Sequence, residues 1–282
     1  MIDFVGIALA AALLFQATDD IHLSVKARSV QPGEVVMLSI SPRQPSESVR
    51  VHAFGKDITA YQDNDGWHAI IGIDLGTKPG RYSVRVESGA PPGLAHSTYE
   101  LLVEPKTFRT RRLTVDEAFV TPPASELPRI EKEAARLAAL WNASSPARLW
   151  TMPFVRPVPH EANSAFGTRS ILNGKRRTDH SAADFLSPAG TPIGAPNAGR
   201  VVLAQNLYFS GNTVIIDHGL GTFSMLAHLS RIDVQTDDAV IAGQPIGLVG
   251  ATGRVTGPHL HWAVRINTAR VDPLSLLAIL GQ

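Results

Sequence analysis

The pattern of hydrophobic and polar positions divides the chain into two β-rich regions with a helical segment between them. From about residue 20 to 105, short apolar runs alternate with glycine- and proline-rich turns. In the run RYSVRV, Tyr82, Val84 and Val86 share one face, while the residues between them are polar or charged. This alternation is typical of a half-buried antiparallel strand.

Six or seven such strands predict an immunoglobulin-like β-sandwich over residues 19–113. The chain contains no cysteine, so the sandwich lacks the disulfide that joins the two sheets in antibody domains. The region shows no cluster of catalytic residue types. We therefore expect it to position or inhibit a neighbouring domain, or to bind a partner.

Residues 114–149 predict a linker that contains an amphipathic helix. Ser125 is a candidate N-cap, and Pro128 falls in the first turn. Apolar residues then recur at helical spacing: Ile130, Ala134, Leu137, Ala138 and Trp141. The stripe indicates a connecting helix that packs against one of the neighbouring domains.

Strand-like runs return over residues 150–282, again separated by glycine-rich turns. The fold class predicted for the chain is therefore mainly β, with an N-terminal sandwich, a connecting helix and a C-terminal antiparallel β-sheet domain. A length of 282 residues fits two domains of ordinary size.

Composition narrows the possible chemistry. The formal net charge is +1, which provides no overall attraction to nucleic acid, so we expect no nucleic-acid partner. Because cysteine is absent, thiolate metal sites and a cysteine nucleophile are excluded. Any metal ion must be held by histidine, aspartate or glutamate.

The first residues form an apolar run from Phe4 to Phe15. The run is shorter than the roughly 20 residues that a membrane-spanning helix needs, and its length is typical of a signal-peptide core. Asp3 precedes it and no basic residue does. We predict a signal peptide or short anchor over residues 1–18 and export to the periplasm, cell envelope or exterior, with a buried first strand or helix as the alternative.

Two histidine-containing pairs in the second β region are candidates for a metal site. His180 and Asp184 are four residues apart, and His259 and His261 are two apart. Side chains at these spacings in a strand point to the same face. In the second pair they point away from the apolar face that begins with Leu260. Two imidazoles and one carboxylate suit a catalytic zinc ion, which keeps a fourth position open.

The other histidines carry weaker signals. His228 lies in a strand-like run in which Leu226, His228 and Ser230 share a face, and taken alone it is interpreted as a hydrogen-bonded structural residue more readily than as a catalyst. His218 is interpreted in the same way, and His160 as a solvated loop residue. The N-terminal histidines are predicted to be surface residues without partners: His22, His52, His68 and His96.

The order of these motifs resembles that of the M23 family of zinc metallopeptidases, the lysostaphin and LytM type. The resemblance covers residues 150 to 275 and is carried by the segments around HSAAD, AHLS and GPHLHWAVRI. It implies that His180, Asp184 and His261 bind one zinc ion per chain. It further implies that His228 and His259 are the catalytic pair beside the attacking water.

Two positions depart from the family pattern. Ala182 replaces a glycine two residues before the aspartate, and Leu226 replaces a tyrosine before the AHL motif. Neither change removes a ligand. Tyr208, the only tyrosine in this half, is a candidate for lining the substrate groove.

The resemblance implies a zinc-dependent endopeptidase that cleaves peptide bonds in peptidoglycan cross-links or stem peptides. A non-catalytic LytM-like regulator or binding module acting on other cell-wall hydrolases is the alternative, although all five site positions are filled. A D,D-peptidase with six residues between histidine and aspartate is disfavoured by the three-residue gap between His180 and Asp184. The N-terminal domain is then a candidate for binding an envelope protein.

Two basic clusters remain outside these motifs. Their members are Arg109, Arg111 and Arg112, and Lys175, Arg176 and Arg177. A solvated surface role is favoured for them over contact with acidic wall polymer or stem-peptide carboxylates.

Overall fold

The computed structural model describes residues 20–90, 93–114, 117–151, 153–163, 166–176 and 179–281. The signal peptide or anchor predicted over residues 1–18 lies outside these ranges. Within them, no helix combines the length and the apolar character that crossing a bilayer requires.

The N-terminal region is a sandwich of two antiparallel four-stranded sheets, with the orders β1-β2-β6-β5 and β4-β3-β7-β8. Its strands are β1 (Ile21–Ala27), β2 (Val35–Pro42), β3 (Val49–Ala53), β4 (Lys56–Thr59), β5 (Tyr61–Asp63), β6 (Gly66–Gly72), β7 (Gly80–Ser88) and β8 (Ala95–Val103). Val84 and Val86 are buried between the sheets, while Arg85 is exposed. The predicted two-faced strand is confirmed, and the immunoglobulin-like classification stays a prediction.

The chain leaves the sandwich through a strand that pairs with the second half. Strand β9 (Thr110–Leu113) runs parallel to β10 (Arg169–Leu172), which pairs with β11 (Lys175–Arg176). Residues 110–113, which the sequence groups with the sandwich, are therefore hydrogen-bonded to the C-terminal part of the chain.

The linker contains the predicted helix. A short helix α1 (Glu117–Val120) and a 3-10 turn (Ala124–Glu126) precede α2 (Leu127–Leu140). Pro128 occupies the first turn as predicted, but Ser125 lies in the 3-10 turn and the N-cap is Glu126, without a side-chain hydrogen bond. The capping prediction for Ser125 was wrong because the 3-10 turn shifts the start of the helix.

The inner face of α2 is rotated slightly from the predicted stripe. Leu137, Leu140 and Trp141 pack on a small apolar cluster that contains Leu203 and Phe223. Ala134 and Ala138, by contrast, are exposed. The helix therefore packs against the C-terminal sheet.

The C-terminal region is built on a nine-stranded sheet with the central order β12-β19-β16-β15-β14-β17. Its strands are β12 (Ala182–Phe185), β13 (Pro192–Gly194), β14 (Gly199–Leu207), β15 (Gly211–Gly219), β16 (Thr222–Ile232), β17 (Ala239–Val240), β18 (Pro245–Val249), β19 (Leu260–Ile266) and β20 (Ala269–Val271). Helix α3 (Pro273–Leu280) follows, with Asp272 as its N-cap. Phe185, Leu226 and Trp262 are fully buried in the main core, so the opposite face of these strands is left for the site.

The two halves are joined by a buried network of charges. Arg28 Nη2 donates to Glu34 Oε1 at 2.8 Å and to Asp272 Oδ2 at 2.7 Å. Lys106 Nζ donates to the same Glu34 oxygen at 2.6 Å. Glu34 is only 1% exposed, and Val35 beside it belongs to the main C-terminal core. The sandwich is thus fixed to the C-terminal region by both charge and apolar contact.

Replacing Glu34 with alanine is expected to lower the free energy of unfolding by about 3 kcal/mol, because it leaves Arg28 and Lys106 without their shared buried partner. Glu87→Ala is the matched control, since Glu87 pairs with Arg50 on the surface and such pairs contribute less than about 1 kcal/mol. Urea denaturation of the full chain measures both. Equal losses in the two variants would contradict the buried network.

Candidate metal centre and active site

Five side chains from three segments of the chain meet on the face of the C-terminal sheet opposite its core. Asp184 lies in β12, His261 in β19 and His228 in β16, while His259 directly precedes β19 and His180 precedes β12. In the sheet register, His261 of β19 pairs with Asp184 of β12 on one side and with Ala227 of β16 on the other. The register therefore brings together residues that are far apart in the chain.

Three of these residues place donor atoms around one point. Asp184 Oδ1 lies 3.1 Å from His180 Nε2 and 3.1 Å from His261 Nδ1. The two nitrogens are 3.2 Å apart. Three donor atoms this close are suited to hold a single metal ion.

Asp184 is the anionic member of this cluster. Burial would raise the pKa of its carboxyl group, but hydrogen bonds from His180 and His261 and the charges of these residues outweigh burial and hold the pKa well below its usual range. Burial lowers the pKa of His261, and the hydrogen bond and negative charge of Asp184 offset part of this shift. The cluster is thus a carboxylate between two imidazoles, a donor set that suits a divalent cation.

His228 and His259 form a second pair beside this cluster, with ring centroids 4.9 Å apart. His228 Nδ1 donates to the carbonyl oxygen of Thr252 at 2.9 Å, and His259 Nδ1 donates to that of Gly257 at 2.9 Å. A carbonyl oxygen only accepts hydrogen bonds, so both rings carry their proton on Nδ1 when neutral. Each Nε2 is then the unprotonated ring nitrogen, and that of His259 lies 3.9 Å from Asp184 Oδ1.

The environment of His228 favours the neutral ring. Burial, followed by the charges of His261 and His259, lowers its pKa to about 3. The hydrogen bond to Thr252 offsets part of this shift. His228 is therefore a neutral hydrogen-bond acceptor at pH 7.

The backbone at His228 departs from a regular strand. Its φ is 69°, and the pairing register of β16 shifts on either side of it. Leu226 and Leu229 both point into the core, whereas His228 contacts His259 and His261. The expectation that Leu226, His228 and Ser230 share a face was wrong, because the bulge turns His228 towards the site.

His180 is also displaced from a regular strand. It lies before β12, where its backbone N–H donates to Thr168 O at 3.0 Å and its carbonyl accepts from Gly167 N at 2.7 Å. The strand geometry assumed for His180 and Asp184 therefore applies only to Asp184. The two side chains converge nevertheless, because the segment that contains Gly167 and Thr168 holds the loop in place.

The remaining histidines divide into structural and surface residues. His218 is fully buried between Ala198 O and Ser224 Oγ, which confirms its structural interpretation, and burial lowers its pKa to about 4. The prediction for His68 was wrong: it is 8% exposed and bonded to Ser39 and Asp63. The expectation of no partners was also wrong for His52 and His96, which lie near Asp57 and Glu87. The solvated role predicted for His160 was wrong as well, because its ring is half-buried and hydrogen-bonded to Ser187 Oγ.

Sequence reasoning missed the two carbonyl groups that orient the catalytic-pair candidates. Thr252 and Gly257 lie in the turn-rich segment between β18 and β19, which precedes the H-x-H motif. Main-chain acceptors leave no signature in residue type. The glycines of this segment were the only available signal, since they indicate a tightly folded turn.

The structure shows where the two residues that depart from the family pattern, and the candidate groove residue Tyr208, are located. Leu226 is fully buried in the main core, and Ala182 is buried opposite Ala263. Tyr208 lies after β14, where its ring contacts Phe209 and lies 5.9 Å from the Arg129 guanidinium. In the described part of the chain, Tyr208 contacts Phe209, Arg129 and Glu133 rather than the five site residues.

Strands β9 to β11 bring parts of the two basic clusters together. Arg112 and Arg176 both face Ile171 of the central strand, and both are exposed. Arg111 donates to Ser170 Oγ at 3.0 Å, and Lys175 pairs with Glu117. Arg177 lies outside the described residues.

Comparison with known proteins gives the same assignment as the motifs. Residues 178–273 match the model of peptidase family M23. The peptidoglycan DD-endopeptidase ShyA of Vibrio cholerae is 42% identical over 100 residues, and the DD-carboxypeptidase/endopeptidase Mpg of Neisseria meningitidis is 41% identical over 116 residues. These matches cover 36% and 40% of this chain, but only 23% and 26% of the two relatives.

A solved structure extends the similarity to both halves of the chain. The crystal structure of a Pseudomonas aeruginosa protein assigned to peptidase M23 superposes with a TM-score of 0.68 and 34% identity. The match covers 90% of this chain and 96% of that structure. With a relative of this identity covered over nearly its whole length, and with the family model matching the segment that contains the site, the chain belongs to peptidase family M23.

Proposed function

We propose that this protein is a zinc-dependent endopeptidase that hydrolyses peptide bonds in the cross-links or stem peptides of peptidoglycan. The observation that carries the proposal is the convergence, on one face of the sheet, of a three-donor cluster and two histidines whose Nδ1 protons are bound to carbonyl groups. Of the two relatives that match 36% and 40% of this chain, ShyA is named as a peptidoglycan DD-endopeptidase and Mpg as a DD-carboxypeptidase/endopeptidase. Their names support the substrate class.

The donor cluster suits zinc. Donor atoms bound to a tetrahedral zinc ion at about 2.0–2.2 Å lie about 3.3–3.6 Å from one another. The three separations among His180, Asp184 and His261 are 3.1, 3.1 and 3.2 Å, within a few tenths of an ångström of that range. Two neutral imidazoles and one carboxylate are also a donor set that zinc prefers in catalytic sites.

In the proposed reaction, a bound zinc ion supplies Lewis acidity that activates water and polarises the scissile carbonyl. His180 and His261 act as neutral ligands, and Asp184 provides the negative charge. The Nε2 atoms of His228 and His259 face the reacting groups. One accepts the proton of the attacking water, and the protonated ring stabilises the developing oxyanion.

The proposal extends to location and to the N-terminal sandwich. An enzyme of peptidoglycan works in the periplasm or cell envelope, which agrees with a signal peptide or anchor over residues 1–18. The outer faces of β7 and β8 are exposed, including Arg81, Arg85 and Leu102. We propose this surface as the part of the sandwich that binds an envelope partner.

Digestion of purified peptidoglycan by the zinc-loaded full chain tests the function. We expect mass spectrometry to detect new peptide amino groups, and we expect a chelator to abolish them and added zinc to restore them. The heat-inactivated chain is the control. If intact zinc-loaded protein releases no new amino group, the endopeptidase proposal is wrong and the regulatory alternative is favoured.

A further inference from the structure

Strand β16 is interrupted where it presents His228. Its pairing with β15 shifts between Asn212 and Val214, and its pairing with β18 shifts after Leu229. His228 adopts the left-handed region of backbone conformation, with a φ of 69°. A residue other than glycine is strained in this region, so the conformation persists only where surrounding contacts hold it.

The side chain of Thr252 bridges the interrupted strand pair. The backbone N–H of Asn212 donates to Thr252 Oγ1 at 2.9 Å, and this hydroxyl donates to Leu229 O at 2.8 Å. Asn212 and Leu229 are partners in the register of β15 and β16. The hydroxyl therefore connects backbone groups of two facing strands at the residue that follows His228.

The side chain of Asn212 adds a second bond to the same carbonyl. Asn212 Nδ2 donates to Leu229 O at 3.0 Å, and Asn212 Oδ1 accepts from Asn206 Nδ2 at 3.0 Å. Both lone pairs of the Leu229 carbonyl are thus used by side chains from outside β16. We call Asn212 and Thr252 the bulge clasp.

The same threonine also orients the imidazole ring. Its carbonyl oxygen accepts from His228 Nδ1 at 2.9 Å, while the backbone N–H of His228 donates to Ser210 O at 3.0 Å. The turn that contains Ser210 packs closely on Thr252: a Cβ at Gly211 would lie 2.3 Å from Thr252 Oγ1. Movement of Thr252 would therefore displace both the backbone and the ring of His228.

We propose that Thr252 and Asn212 are positioning residues that hold His228 in its bulged conformation with Nε2 directed at the site. The inference rests on the proposed catalytic function of His228. Neither residue is a ligand in the donor cluster of His180, Asp184 and His261. Their loss should therefore affect turnover rather than metal binding.

Steady-state cleavage by the zinc-loaded full chain tests this inference. Thr252→Val removes the hydroxyl and should lower kcat by about 10- to 100-fold, while KM and the zinc content remain close to those of the wild type. Thr252→Ser keeps the hydroxyl and should retain kcat within about threefold. Thr191→Val is the matched control, because the Thr191 hydroxyl donates to Pro188 O in an exposed position, and its kcat should be unchanged.

A double-mutant cycle with His228→Ala separates positioning from general damage to the fold. If the clasp acts through His228, Thr252→Val has no further effect on kcat in the His228→Ala background. An equal fold-loss in both backgrounds would overturn the inference, as would a loss in Thr252→Ser as large as that in Thr252→Val.

A spectroscopic readout keeps the test independent of the proposed function. The His228 Nδ1–H signal in 15N-edited NMR should be protected from solvent exchange in the wild type and in Thr252→Ser. It should exchange faster in Thr252→Val. A wild-type chain that cleaves nothing would refute the endopeptidase proposal, whereas unchanged exchange in Thr252→Val would refute the clasp.

Discussion

Asp184→Ala is expected to lower peptidoglycan cleavage at least about a thousandfold, because metal-assisted stabilisation of the transition state is worth several kcal/mol and each 1.36 kcal/mol corresponds to tenfold in rate. The substitution removes the only carboxylate of the donor cluster, whose oxygen lies 3.1 Å from each of two histidine nitrogens. The zinc content should fall from one ion per chain towards zero. Release of peptide amino groups and elemental analysis measure the two effects.

Asp237→Asn provides the control for Asp184→Ala. Asp237 pairs with Arg200 on the surface, and its side chain is 74% exposed, so cleavage and zinc content should remain at wild-type values. The melting temperature of the metal-free proteins shows whether Asp184→Ala still folds. A folded Asp184→Ala variant that binds one zinc ion and cleaves at more than a tenth of the wild-type rate would contradict the assigned ligand.

His228→Ala should separate metal binding from proton transfer. We expect kcat to fall by about 10²- to 10⁴-fold, the usual contribution of a positioned acid or base, while zinc content remains at one ion per chain. His228 belongs to a second group of possible donor residues, with His259 and His261, but not to the cluster of His180, Asp184 and His261 that contains the carboxylate. Steady-state kinetics together with elemental analysis distinguish this result from the loss expected for Asp184→Ala.

His96 offers the matched control for His228. His96→Ala alters an exposed histidine of the sandwich whose nearest acidic partner is Glu87 at 3.7 Å, and it should leave kcat unchanged. A His228→Ala variant with wild-type kcat would show that His228 takes no part in proton transfer. Loss of zinc from that variant would instead show that His228 is a metal ligand.

The apolar alternation of the sequence predicted the parts of the fold that depend on strand faces. Leu260 and Trp262 are buried and His261 points to the opposite face, as period-two alternation requires. The two sheets of the sandwich and the connecting helix followed from the same kind of pattern. These features were predictable because a buried face requires apolar residues, and their spacing is visible in the sequence.

Features that depend on hydrogen bonds of the main chain were not predictable in this way. The bulge that turns His228 towards the site is fixed by Thr252, Asn212 and Ser210, and no periodic pattern encodes it. His180 was placed in a strand although a loop holds it beside Thr168. The motif resemblance singled out five residues that the structure brings together, whereas the conformations that bring them together required the structure.

Anomalous diffraction at the zinc absorption edge from crystals of the natively purified full chain tests the central claim most directly. We expect one peak per chain, about 2 Å from His180 Nε2, His261 Nδ1 and an Asp184 carboxylate oxygen. A zinc peak bound by other residues, or the absence of any peak at these three donors after zinc is added, would contradict it.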